Sequence, residues 1–171
     1  MLKVLAKYIK EYKLASLLTI VFIIGEVIFE LLIPYMMTFI IDKGVAINDF
    51  NAVIKYGSIM IVLAVLGLIC GIAAGIYGAN ASAGFAKNLR EGMFRNIQNF
   101  SFSNIDKFSS ASLVTRLTTD ITNVQNSYQM ILRMLMRAPA TLIFALIMTV
   151  SISKDMSVIF FVAIFFLATA L

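Results

Sequence analysis

From Tyr56 to Ala86 the chain runs 31 residues without a single charged side chain, bounded by Lys55 and Lys87. That exceeds the roughly 20 apolar residues a helix needs to cross a bilayer. It is not alone: Leu14 to Ile41 carries only Glu26 and Glu30, and Ala138 to Ser153 and Met156 to Leu171 carry no charge at all. A chain of 171 residues cannot enclose so many apolar runs in one core. Its 61% hydrophobic content stands well above the roughly 45–50% of soluble domains. A water-soluble fold is therefore excluded. Uninterrupted runs favour helices over the short alternating strands of a barrel, so the fold class is all-α: a polytopic membrane protein.

Residue usage also removes several chemistries. With no histidine, the commonest general base and metal ligand is absent, and Ser-His or Cys-His catalysis goes with it. Cys70 is the single cysteine and lies inside an uncharged run, where it reads as a small apolar filler without a disulfide partner in the chain. No catalytic residue, metal ligand or cofactor site is assigned to these residues.

Amphipathic periodicity continues past the apolar runs. Leu2, Leu5, Ile9 and Tyr12 recur at helical spacing opposite Lys3, Lys7, Lys10 and Lys13, which predicts an interfacial elbow helix over 1–13. Spans are predicted over about 14–41, 54–86, 132–153 and 156–171. The second does not stop at the membrane edge, because Phe85, Leu89, Met93, Phe94, Ile97 and Phe100 extend an apolar stripe among Lys87, Arg90, Glu91 and Arg95. After a polar patch from Ser101 to Ser112, with Ser103 and Asp106 at capping-box spacing, Leu117, Ile121, Val124, Tyr128, Ile131, Leu132 and Leu135 resume the stripe. The spacing thus predicts a helical hairpin over about 87–131, standing outside the bilayer. The sixteen residues Met156–Leu171 fall short of a full span, and the chain is read as a fragment of a longer one.

Eleven of the fourteen basic residues precede the first span or lie between the second and third; only Lys43, Lys55 and Lys154 lie on the other side. That bias places the N-terminus and the long hairpin in the cytoplasm, with the spans expected in a bacterial cell membrane and lipid as a partner. Topology accounts for the net charge of +5, so nucleic acid is not a partner.

Two constellations lie inside the spans. Glu26 and Glu30 are one turn apart on one helical face, and a carboxylate at the bilayer centre costs roughly 3 kcal/mol or more. They are read as candidates for lining a translocation cavity, against the alternatives that they pair with a basic residue of another helix or sit near the outer boundary. Gly67, Gly71 and Gly75 recur at four-residue spacing and continue as Ala79 and Ala83, which reads as a helix-packing ridge. Arg133 and Arg137 read as cations reaching lipid headgroups at the cytoplasmic boundary.

The run Phe102-Ser-Asn-Ile-Asp106-Lys-Phe-Ser-Ser-Ala-Ser-Leu-Val-Thr-Arg116-Leu-Thr118-Thr-Asp120 resembles the segment of exporter-type ATP-binding cassette (ABC) transporters where an aromatic, aspartate-containing turn precedes a G-E-L-x-S-R-x-x-x-D helix start. Ala111 and Ser112 stand in place of the family's Gly-Glu, while Asp106, Arg116 and Asp120 match. The resemblance covers the whole layout: a basic elbow, a first span ending in a proline and F-I-I-D-K-G (Phe39 to Gly44), a long second helix and this turn. It implies the N-terminal part of an exporter transmembrane domain with long helices extending into the cytoplasm. It implies further that 102–112, through Phe102, Ile105, Asp106 and Phe108, couples to a nucleotide-binding domain on the same or a separate chain. Arg116 and Asp120 would then make cytoplasmic helix contacts, and a second transporter half would complete a homo- or heterodimer working by alternating access.

No G-x-x-x-x-G-K-[ST] phosphate loop occurs in the sequence, so ATP and magnesium are expected on the missing nucleotide-binding domain. The alternative from the residues alone is a non-enzymatic helical membrane scaffold or channel subunit.

Overall fold

The computed structural model describes residues 8–100 and 109–152, and the elements there are helical. Helix α1 spans Lys13–Phe39, entered through a 3-10 turn at Lys10–Tyr12 and prolonged by a π turn at Ile40–Val45. Helix α2 spans Phe50–Gln98, 49 residues without a break. Helix α3 is a continuous 42-residue rod over Ala111–Ile152, with π turns at Arg116–Asp120 and Ile131–Leu135. All three are long and apolar enough to cross a membrane. Predicted elements over 1–7, the polar patch over 101–108 and the fourth span over 156–171 lie outside the described residues.

Local chemistry sets the helix boundaries. Between α1 and α2, Asn48 takes a left-handed φ of 57°, a conformation asparagine tolerates far better than β-branched residues do. Asp49 then caps α2, its Oδ1 accepting from the backbone N–H of Asn51 at 3.0 Å and of Ala52 at 3.3 Å. At the start of α3 the cap is Ser109, whose hydroxyl accepts from the Ser112 N–H at 3.3 Å. The capping pair read at Ser103 and Asp106 falls outside the described residues.

The chain divides into two compact units, Met1–Val21 with Ile72–Leu135 and Phe22–Gly71 with Met136–Leu171. In the first, Phe85, Ala86, Leu89 and Ile121 form a buried core, against which Tyr8, Ile9, Met93, Leu117, Val124 and Tyr128 pack. Fully burying an aliphatic or aromatic side chain of this size contributes about 1.5–3 kcal/mol. Polar contacts fringe that core. Tyr128 stacks on Phe85 with ring centroids 4.7 Å apart and shares a 2.8 Å hydrogen bond with the Ser16 hydroxyl. Asn88 Nδ2 donates to the Tyr8 carbonyl at 2.9 Å, and Arg90 Nε to the Leu117 carbonyl at 3.1 Å.

Tyr128→Phe is a mild probe of this fringe. Ser16 also donates to the Tyr12 carbonyl at 3.0 Å and so keeps a partner. The variant is expected to lose about 1 kcal/mol in denaturant unfolding of the full-length protein in micelles, and a loss above about 2 kcal/mol would mean that this hydroxyl has a second role.

The stripe expected on α3 is realised only in part: Ile121 and Leu132 are buried, but Ile131 and Leu135 point outward. At 100° per residue Ile131 stands about 80° round from Ile121 and Leu132 only about 20°, so ordinary winding already turns Ile131 off the packed face, while Leu135 closes a π turn whose wider winding rotates it off the α-helical register.

Helix α2 shows a related shift. A four-residue step advances about 400° around an α-helix, so a strict four-residue ridge precesses about 40° per step and about 160° from Gly67 to Ala83. Accordingly Ala79 and Ala83 are exposed. The inward face instead follows a seven-residue period, Gly71, Gly78, Phe85 and Gly92 interleaved with Gly67, Ala74, Ala81 and Asn88, which drifts only about 20° per repeat.

In the second unit the apolar side chains of Val62, Leu68 and Ile69 face outward, as the lipid-facing side of a spanning segment does. Val27 and Ile23 are buried.

Candidate functional site

Among its described residues the apolar second unit contains one concentrated set of charges. Glu26 and Glu30 stand one turn apart on α1 near the middle of its apolar run, and both meet Arg137 from α3. Nη1 of Arg137 donates to Glu26 Oε1 at 2.9 Å, and Nη2 to Glu30 Oε2 at 2.6 Å. The guanidinium fork suits this arrangement, because its two amino groups can reach carboxylates displaced along the helix axis whereas an ammonium is a point charge. The pairing with a basic residue of another helix, the alternative to cavity lining for Glu26 and Glu30, is present with Arg137 as the partner. Arg137, read from the sequence as a headgroup anchor, is held by these carboxylates instead.

The two carboxylates are not equivalent. Glu26 is 22% exposed and Glu30 60%. The reason lies on α2, where a methyl group added at Gly71 would sit 3.3 Å from the Glu26 carboxylate. Gly71 thus makes room for the acid by lacking a side chain. Its neighbours continue the close packing: a Gly67 methyl would lie 3.6 Å from Phe29 Cβ, and a Gly25 methyl 3.4 Å from the Cys70 sulfur. Among the described residues nothing lies within 4 Å of a side chain added at Gly75. The sequence reading missed Gly84 and Gly92, which in the first unit are notches that seat the rings of Tyr12 and Tyr8. Two glycines inside an amphipathic helix, each costing about 1 kcal/mol relative to alanine, were the available signal.

The coupling residues Phe102, Ile105, Asp106 and Phe108 lie outside the described residues. What flanks them is described: Met93, Asn96 and Ile97 of α2, with Phe100 just past its end, line a shallow groove with Leu113 and Arg116 of α3. Arg116 and Asp120 are both exposed and bound the π turn, where residues four apart no longer stack as they do in an α-helix.

Among the described residues no group of three or more Asp, Glu, Cys or His side chains could hold a metal ion. The phosphate loop is absent from the whole sequence. No step of nucleotide chemistry is assigned to these residues.

Over residues 16–170 the sequence matches the ABC transporter transmembrane region. It is 34% identical over 157 residues to the uncharacterized ABC transporter ATP-binding protein YfiB of Bacillus subtilis (strain 168), covering 92% of this chain and 27% of that protein. It is also 27% identical over 170 residues to the uncharacterized ABC transporter ATP-binding proteins Mb1304c of Mycobacterium bovis and Rv1273c of Mycobacterium tuberculosis, covering 99% of this chain and 29% of each. The chain thus spans less than a third of the length of these curated relatives.

Proposed function

This chain belongs to the family of ABC transporter transmembrane regions and is an integral membrane protein, and on that premise we propose that it serves as the membrane subunit of an ATP-driven exporter. In this reading it moves a substrate by alternating access, with its N-terminus in the cytoplasm of a bacterial cell. The turn over 102–112 docks on a nucleotide-binding domain, on the same polypeptide or a separate one, and a second transporter half completes the dimer.

The observation that carries the reading is the length and two-part character of the helices. At 49 and 42 residues, α2 and α3 are each about twice what a bilayer needs. The parts of α2 and α3 over 72–98 and 111–135 pack with residues 8–21 into a unit with its own buried core and polar fringe. Helices built in this way behave as stiff rods, and a displacement applied at the 102–112 turn is passed along them by packed side chains. The names of the relatives, all ABC transporter ATP-binding proteins, support a nucleotide-binding partner.

The test is a crosslink. In the full-length transporter, Asp106→Cys paired with a cysteine on the nucleotide-binding domain is expected to form a disulfide whose yield changes when a non-hydrolysable nucleotide is added. No crosslink to any cytoplasmic partner would remove the lever from the reading.

A further inference from the structure

The charge cluster of the apolar unit is built asymmetrically. Both carboxylates use the same guanidinium, but Glu26 is packed against α2 at Gly71 and is 22% exposed, while Glu30, one turn further along α1, is 60% exposed. Each contact is a single charge-assisted hydrogen bond, at 2.9 Å and 2.6 Å. The Glu30 bond is the shorter, so length alone does not rank them; packing does. To leave Arg137, Glu26 must move out of the space beside Gly71 or carry α1 with it. Glu30 needs only a rotamer change on an open face. A well-packed charge pair resists opening because removing one partner strands the other, whereas Glu30 can swing away from Arg137 without displacing packed atoms and leaves the guanidinium still paired with Glu26.

We propose that Arg137 is a two-position latch between α1 and α3, pivoting on a permanent contact with Glu26 while its contact with Glu30 opens and closes. Closing holds α3 to two successive turns of α1. Opening leaves a single point about which α3 can rotate without losing its counter-ion. The only other charged side chains in the described part of this unit, Asp42, Lys43, Asp49 and Lys55, belong to the α1–α2 connection and its flanks. None of them is bonded to the cluster.

The protein carries its own reporter. Cys70 precedes Gly71 and Gly25 precedes Glu26; the Cys70 sulfur sits 3.4 Å from where a Gly25 methyl would stand, and the thiol is half-buried. Its reaction with a membrane-permeable maleimide, followed by mass spectrometry on the full-length transporter, reads how tightly α1 packs on α2 beside Glu26.

Glu26→Gln is expected to raise the labelling rate of Cys70 roughly tenfold, the factor that corresponds to a lost charge-assisted hydrogen bond. Glu30→Gln should change it less than about twofold, because Glu26 keeps its place beside Gly71 and its bond to Arg137. Arg137→Lys, whose ammonium cannot fork to both carboxylates, is expected to keep the Glu26 contact and so to label like Glu30→Gln. Equal effects of Glu26→Gln and Glu30→Gln, or a tenfold rise with Arg137→Lys, would overturn the pivot. Because Arg137→Lys and Glu30→Gln keep a charge pair in place, they test the proposal even where Glu26→Gln lowers the yield of folded protein.

Discussion

Arg137→Gln is expected to be among the most damaging single changes available to the described chain, costing about 3 kcal/mol or more. The substitution leaves Glu26 and Glu30, like charges one turn apart, without a counter-ion in the middle of an apolar run. Arg137 is 42% exposed, which in water would argue for a small effect. Here the exposed side of the cluster belongs to a segment whose outward side chains are aliphatic, so its surroundings are lipid or a cavity and bulk water does not screen it. The control is Arg95→Gln. Arg95 pairs with Glu91 one turn away at 2.7 Å, but the two side chains are 74% and 48% exposed on an amphipathic stretch, so losing that pair should cost only about 0.3–0.5 kcal/mol.

Combining Arg137→Gln with Glu26→Gln and Glu30→Gln removes all three charges together, and the triple variant is expected to recover most of the loss. Thermal unfolding of the detergent-solubilised full-length protein measures each step. An Arg137→Gln loss no larger than that of Arg95→Gln, or a triple variant no better than the single one, would contradict the charge-pairing account.

The extent of α2 is legible in the sequence because two independent signals join without a gap, the charge-free run to Ala86 and the period of 3.6 residues through Phe85, Leu89 and Met93. The family is legible from the residues around Asp106, Arg116 and Asp120, and the match over 16–170 agrees with it. The partner of Glu26 and Glu30 is not legible in the same way. Arg137 lies 111 residues from Glu26 along the chain. Position at the end of an apolar run describes a headgroup anchor and an interhelical ion pair equally well, and only tertiary packing separates them. The π turns are invisible for a different reason: an extra residue in one turn changes the face of every side chain after it while leaving composition and propensity untouched. That is how Leu135, at the end of the second π turn, comes to face outward. The ridge on α2 shows how far period matters, since counting by four leads to Ala79 and Ala83 whereas counting by seven leads to Gly78 and Gly92.

Gly84→Ala and Gly75→Ala are the same chemical change on the same helix, and they are expected to have opposite signs. Each adds one methyl group and removes the conformational cost of glycine, a gain of about 0.5–1 kcal/mol in a helix interior. At Gly75 nothing among the described residues lies within 4 Å of the new atom, so the gain stands and the protein should become slightly more stable. At Gly84 the methyl would fall inside the ring of Tyr12, on atoms too close to be accommodated without displacement. The ring belongs to a half-buried side chain, and four residues further along Ser16 is bonded to Tyr128, so the segment cannot simply slide. Overpacking of this kind costs about 1–3 kcal/mol, which outweighs the gain in propensity. Gly84→Ala should therefore be net destabilising by up to about 2 kcal/mol, and in combination with Tyr12→Ala its sign should reverse, because the obstructing ring is gone and only the helical gain is left. Denaturant unfolding of the four proteins in that cycle decides the matter: a Gly84→Ala effect that keeps its sign and size in the Tyr12→Ala background would show that the notch does not seat this ring.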